Sequence, residues 1–148
     1  MPDIALIWDR PTIFEKYLSG LGFGTLVVSP RTFGTPFLPR FRLALIPTGF
    51  ANPQYSSILP SLQKGKDILG GFVSGGGALL VFGALVPEYT YDWLPVPISY
   101  VQRYSRVRLE NAAEHGASLI SDEADVECDG YLKAAGWQTV LTDGTGET

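Results

Sequence analysis

The chain has 148 residues, 45% of them apolar and 18% charged, with a formal net charge of −4. That length suits one compact domain whose core needs no covalent staple, and the charge gives no general attraction to a phosphate backbone. No apolar run approaches the roughly 18 residues that span a bilayer, and the opening MPDIALIWDR lacks the basic region and long apolar stretch of a secretory signal; a cytoplasmic protein without membrane or nucleic-acid partners is therefore expected.

Residues 3–9, DIALIWD, form a short run of strand formers, and Pro11 follows at a position suited to the first turn of a helix. In PTIFEKYLSGLG the apolar Ile13, Phe14, Tyr17, Leu18 and Leu21 recur at helical spacing, and Gly20, Gly22 and Gly24 supply stop signals. TLVVS reads as a second strand closed by Pro30, and residues 31–41, RTFGTPFLPRF, as an irregular connection. The third strand lies in RLALIPTGF, where the apolar stretch Leu43 to Ile46 predicts burial on both faces, and Pro47 stops it.

Residues 54–77 carry a broken helical stripe of Ile58, Leu59, Leu62, Ile68, Leu69, Phe72 and Val73, interrupted by Pro60 and Gly65. Two short helices and one kinked helix fit equally well. The fourth strand, ALLVFGAL, is too apolar for a half-exposed position. Strands and helices alternating in this way predict an α/β, three-layer doubly wound sheet, mostly parallel, with helices on both faces.

After Val86 the composition changes to aromatic, β-branched and proline residues, which predicts a β-rich C-terminal part with an extended strand or hairpin. DGYL at 129–132 reads as a turn, WQTVL as a strand, and Asp143 with Gly144 as a hairpin turn. A strand ending at such a turn is expected to lack a partner, supplied either by sequence beyond residue 148 or by another subunit. In RYSRVR, strict alternation puts Arg106 and Arg108 on the same face as Tyr104, and Arg103 on the opposite face; the expected state is a solvated strand face rather than an anion site.

The glycines of SGGG at 74–77 follow a helix and precede a strand, the reverse of the order a phosphate cradle needs, so they read as a helix cap and tight turn. Gly83 differs, because it closes a buried strand at the edge where open α/β sheets bind ligands. It has no side chain, and Val81, Phe82, Ala84 and Leu85 offer no nucleophile in its place.

The third strand ending in IPTGF and the helix leading through FVSGGGALLVFGAL resemble the class I glutamine amidotransferase-like superfamily. ECDGYLKAAGWQTVLTDGTGE is similar to segments of its divergent branch near trehalose-utilisation-type domains. The resemblance covers most of the chain and implies a flavodoxin-like sheet. It places Gly83 at the catalytic cysteine and Thr48 with Gly49 at the oxyanion-side turn. Without a thiol there, no thioester with glutamine forms, and the late His-Glu pair of the family is not recognisable. His115, the one histidine, is similar to a histidine near this place in the divergent branch; from the residues alone it reads as a surface group beside Glu114.

Cys128 is the lone thiol and can form no internal disulfide. Its neighbours Asp122, Glu123, Asp125, Glu127 and Asp129 oppose thiolate formation, and their spacing does not reproduce a calcium loop, so a solvated acidic loop is expected. Asp9 ends the first strand at the same edge as Thr48 and Gly83. A phosphoacceptor domain would want an Asp ending the third strand, where Pro47 and Thr48 stand.

These residues predict a crevice lined by Asp9, Arg10, Thr48, Gly49, Phe50, Gly83 and Ala84, and a non-catalytic domain that binds a small molecule or another subunit, with no metal or cofactor. The rival classes are an enzyme using Asp9 or His115 as a base, and an assembly domain pairing through Tyr89, Tyr91, Trp93 and Tyr100. A homo-oligomer or partner subunit is expected in addition to a small-molecule ligand.

Overall fold

The computed structural model describes residues 2–116 and 125–143. The protein is mixed α/β, with one parallel sheet and separate antiparallel sheets, and it divides into two compact units: Met1–Leu85 with Trp93–Pro95, and Val86–Asp92 with Val96–Thr148.

In the first unit, β1 (Ile4–Ile7), β2 (Thr25–Val28), β3 (Leu43–Ile46) and β4 (Ala78–Val81) form a parallel sheet in the order β2-β1-β3-β4. Register runs Ile4 to Thr25 and Leu43, and Leu43 to Ala78. Central β1 is buried throughout, as its unbroken apolar run requires of a strand covered on both faces. Each fully buried Leu or Ile side chain there contributes about 1.5–3 kcal/mol.

Helix α1 (Ile13–Gly20) starts at Thr12, whose hydroxyl accepts the Phe14 amide hydrogen at 3.3 Å, so Pro11 lies one residue outside the helix rather than in its first turn. Phe14 and Leu18 pack on Ile4, Leu6 and Leu45, whereas Ile13, Tyr17 and Leu21 of the same apolar stripe face solvent. Ile7, on the opposite face by strand alternation, lies beside Leu62 of α2 (Leu59–Lys64) and Leu69 of α3 (Lys66–Ser74). The two helices break at Gly65, which settles the alternatives the sequence left open.

Between β2 and β3 the connection is irregular but anchored. Phe33 is buried edge-on to Phe72 and near Phe41, and Gly34 takes φ +78° where a Cβ would press on Ile68.

β4 departs from expectation. It is an edge strand with alternating exposure, and Leu80 is 45% exposed. An apolar run reports that a strand can be buried; whether it is depends on a neighbouring strand, and none pairs with its outer edge among the described residues.

In the second unit, β5 (Glu88–Thr90), β6 (Ser99–Arg108) and β8 (Asp125–Lys133) form an antiparallel sheet, and β7 (Glu110–Asn111) pairs with β9 (Leu141–Thr142). Asp129 to Leu132 lie inside β8, so DGYL is strand and not turn. Gly130 is explained by close approach instead: a Cβ there would collide with the Val101 carbonyl oxygen and the Tyr100 ring. The turn expected at Asp143 and Gly144 falls partly outside the described residues, as do Asp122 and Glu123.

The acidic residues of 125–129 belong to a strand, not a loop, and they face the arginines: Arg106 is opposite Glu127 and Arg108 opposite Asp125. Opposite charges thus stand across the sheet from one another, the arrangement that favours an antiparallel pair. A register shift between Gln102 and Ser105 sets two β6 residues against Asp129 alone. It reverses the alternation beyond it, so Arg103 lies on the Arg106 and Arg108 face rather than the opposite one, with its guanidinium 4.6 Å from the Tyr131 ring centroid.

Candidate functional site

The carboxyl ends of β1, β3 and β4 bring Asp9, Arg10, Thr48, Gly49 and Gly83 to one edge of the parallel sheet. Two hydrogen-bonded clusters form there. In the first, Asp9 Oδ2 accepts the Ser57 amide at 2.8 Å and the Ser57 hydroxyl at 2.9 Å, while Arg10 Nε donates to Oδ1 at 3.3 Å. Burial pushes the Asp9 carboxyl up, yet the Ser57 amide, the Ser57 hydroxyl and then Arg10 favour the ionised form and together hold it below its ordinary value. The carboxylate keeps 21% of its side-chain exposure and the guanidinium 57%, so Arg10 presents the more accessible charge.

In the second cluster, the Gly83 carbonyl accepts from Thr48 Oγ1 at 3.2 Å and from Gly49 N at 2.9 Å, tying the end of β3 to the end of β4. Gly49 has φ +84°, and a Cβ there would stand 3.2 Å from the Tyr55 side chain. The positive φ favours glycine, and an added Cβ would also crowd Tyr55. Phe50 and Ala84 carry no exposed surface; Phe50 packs edge-on against Trp93 with ring centroids 5.6 Å apart.

Three further residues join this edge without a motif to announce them. Asn52 donates from Nδ2 to the Leu85 carbonyl at 2.9 Å and accepts the Gln54 amide on Oδ1 at 3.0 Å. Asn before Pro53 is a turn signal that could have marked it. Ser57 gave no comparable signal. Leu85 adopts φ 54°, the one non-glycine residue in the left-handed region among those described, and nothing in its side chain foretells that.

Chemically, the edge holds a carboxylate, a guanidinium and two hydroxyls. A carboxylate held ionised is a poor proton acceptor at neutral pH, and the Ser57 hydroxyl beside it has no imidazole to activate it within the first unit. His115 and Cys128 both belong to the second unit. The Cys128 thiol is pushed up by burial and then by Asp129 and Asp143, which keeps it protonated. Among the described residues no three His, Cys, Asp or Glu side chains gather as a metal ion needs, and no helix is long and apolar enough to cross a membrane.

Tyr91, Trp93 and Tyr100, three of the four aromatic residues considered for an interface, are buried, and Tyr89 is half-buried with its ring edge-on to Tyr91 at 5.2 Å. They are spent on packing. Compared with protein families, curated proteins and solved structures, the chain finds no match.

Proposed function

We propose that the first unit is a flavodoxin-like, amidotransferase-related domain that binds a small polar molecule at the carboxyl edge of its sheet without covalent catalysis. The observation that carries this reading is the turn after β4, where the chain enters a left-handed conformation at Leu85, two residues after Gly83, with no nucleophilic atom at either position. A strained strand exit of this kind is where a nucleophile elbow would present its side chain. Here it presents leucine.

The parallel strand order β2-β1-β3-β4 supports the fold assignment, since it follows the start of the flavodoxin-like order. In such sheets the ligand crevice opens where strand order reverses, between β1 and β3, and that is where Asp9, Arg10, Thr48 and Gly49 stand. The ionised Asp9 favours a ligand that offers a donor or a positive charge; the adjacent Arg10 favours one that also carries an anionic or carbonyl group. A zwitterionic or hydroxylated small molecule satisfies both.

The test is a thermal-shift screen against amino acids, sugars, nucleotides and divalent metals, repeated on Asp9→Ala. A ligand that raises the melting temperature of the native protein and not of the variant supports the site. Turnover of glutamine or an ester that persists in Cys128→Ala would sink the non-covalent, non-catalytic reading.

A further inference from the structure

Two strands end the parallel sheet, and they differ. On β2 every side chain is buried or half-buried, whereas β4 exposes Ala78 and Leu80, and Phe82 just beyond it is 37% exposed. An apolar edge strand is a template for another strand, and proteins usually guard such an edge with charge, proline or a bulge. Residues 68–86 hold no charged residue and no proline, and the register of β4 on β3 runs without a bulge.

That register decides which backbone groups are free. Leu43 aligns with Ala78 and Leu45 with Leu80; the Ala78 amide donates to the Arg42 carbonyl at 2.9 Å and the Phe82 amide to the Ile46 carbonyl at 3.1 Å. By alternation along the strand, Ala78, Leu80 and Phe82 turn their amides and carbonyls toward β3, and Leu79 and Val81 turn theirs outward. On that side neither has a partner among the described residues. The side chains of Ala78, Leu80 and Phe82 share the face of Leu43 and Leu45, on which Phe14 and Leu18 of α1 pack. The Phe82 ring lies beside Phe14 with centroids 5.8 Å apart.

Run antiparallel to itself, ALLVF is self-complementary. Placing Leu80 opposite Leu80 of a second copy sets Leu79 opposite Val81 and Val81 opposite Leu79, so every outward amide of one copy meets an outward carbonyl of the other. On the exposed face small Ala78 then meets large Phe82, and the two leucines meet on the axis. Neighbouring registers fail. A shift of two residues one way would need the Gly77 amide, which already donates to the Phe72 carbonyl at 3.0 Å. The other way would need the Gly83 carbonyl, which already accepts from Thr48 and Gly49.

We propose that β4 pairs antiparallel with β4 of a second copy, centred on Leu80, and joins the two parallel sheets into one continuous sheet. The contact is isologous, so it closes at two copies. It runs along the side of the sheet and does not rest on the ligand site at its carboxyl edge. The strand is short, so association is weak; it carries no charge, so salt does not weaken it.

Sedimentation equilibrium on the full chain, from micromolar to millimolar protein, tests it with Val81→Pro and Leu80→Lys. The expected wild-type average mass rises to two copies and no further, at low salt and in about 1 M NaCl alike. Val81→Pro removes an outward amide where an edge strand tolerates proline, and Leu80→Lys sets like charges opposite one another on the axis; both stay monomeric with the wild-type circular dichroism. Cysteine pairs read the register separately, in a Cys128→Ala background. Opposed residues of a non-hydrogen-bonded antiparallel pair have Cα atoms about 4.5 Å apart, within disulfide range. Leu80→Cys therefore oxidises to a covalent dimer, and Ala78→Cys, which faces Phe82, does not. A wild type that stays monomeric or grows past two copies, folded variants that pair like the wild type, or Leu80→Cys that cross-links no faster than Ala78→Cys overturns the proposal.

Discussion

Asn52 holds Leu85: its side-chain amide donates to the Leu85 carbonyl at 2.9 Å, across 33 positions of sequence, at the single non-glycine residue described with φ in the left-handed region. The loop after β3 thereby fixes the direction in which the chain leaves β4. A left-handed non-glycine residue costs roughly 1–2 kcal/mol, and surrounding bonds must offset that.

Replacing Asn52 by Ala leaves the Leu85 carbonyl and the Gln54 amide without their partner. A loss of about 1–2 kcal/mol in urea denaturation is expected, with an unchanged m-value. Equal stability would show that the bond does not restrain Leu85.

The Asp9 carboxyl sits below its ordinary value, so its ionised form is stabilised in the native state. That contribution is fully present above the unfolded value, about 3.9, and is lost as pH falls through the lower folded value. Asp9→Asn should therefore be less stable than the wild type at neutral pH, and the gap should narrow only below about pH 4. Melting temperatures of the two proteins followed from pH 7 downward check the sign; a gap that closes near neutrality would point to a different titrating group.

Two glycine substitutions should act in opposite directions. In α3, a Cβ on Gly70 meets nothing within 4 Å, so Gly70→Ala should stabilise by about 0.4–1 kcal/mol through helix propensity and the unfolded chain. At Gly130 the added carbon would strike the Val101 carbonyl and the Tyr100 ring, and a loss of about 1–3 kcal/mol is expected. Chemical denaturation of both variants beside the wild type is sufficient; a Gly130→Ala protein as stable as the wild type would refute the close approach.

Across β6 and β8, Arg106→Glu should cost about 0.2–1 kcal/mol by placing like charges opposite one another, and adding Glu127→Arg should recover most of it. The recovery should shrink in high salt because both residues are exposed. A double variant no better than the single one at low salt would remove the pairing.

Much of the first unit is legible because its strands are short apolar runs between Pro and Gly, and β1, α1, β2, β3 and β4 all lie where those signals put them. Exposure is less legible. The runs in β3 and β4 look alike, but only β3 has a strand on each side, and the stripe on α1 is wider than the surface beneath it. In the second unit, Asp129 and Gly130 carry a turn signature that long-range pairing overrides. At the carboxyl edge, Asp9 and Thr48 could be found because strand ends mark them. Ser57 and Asn52 act through contacts 48 and 33 positions away, which no local pattern encodes.

The extra residue in β6 works as a parity switch. Ahead of it, odd-numbered positions share the face of Tyr131; after it, the even-numbered Arg106 and Arg108 do. Deleting either Arg103 or Tyr104 would leave one residue opposite Asp129 and restore uniform alternation with both flanking registers kept, Tyr100 still opposite Leu132 on its buried side and Arg106 still opposite Glu127. A one-residue deletion at this point thus straightens the strand and spares the interior, whereas the same deletion between Ser105 and Arg108 would leave the extra residue in place and shift the pairs beyond it.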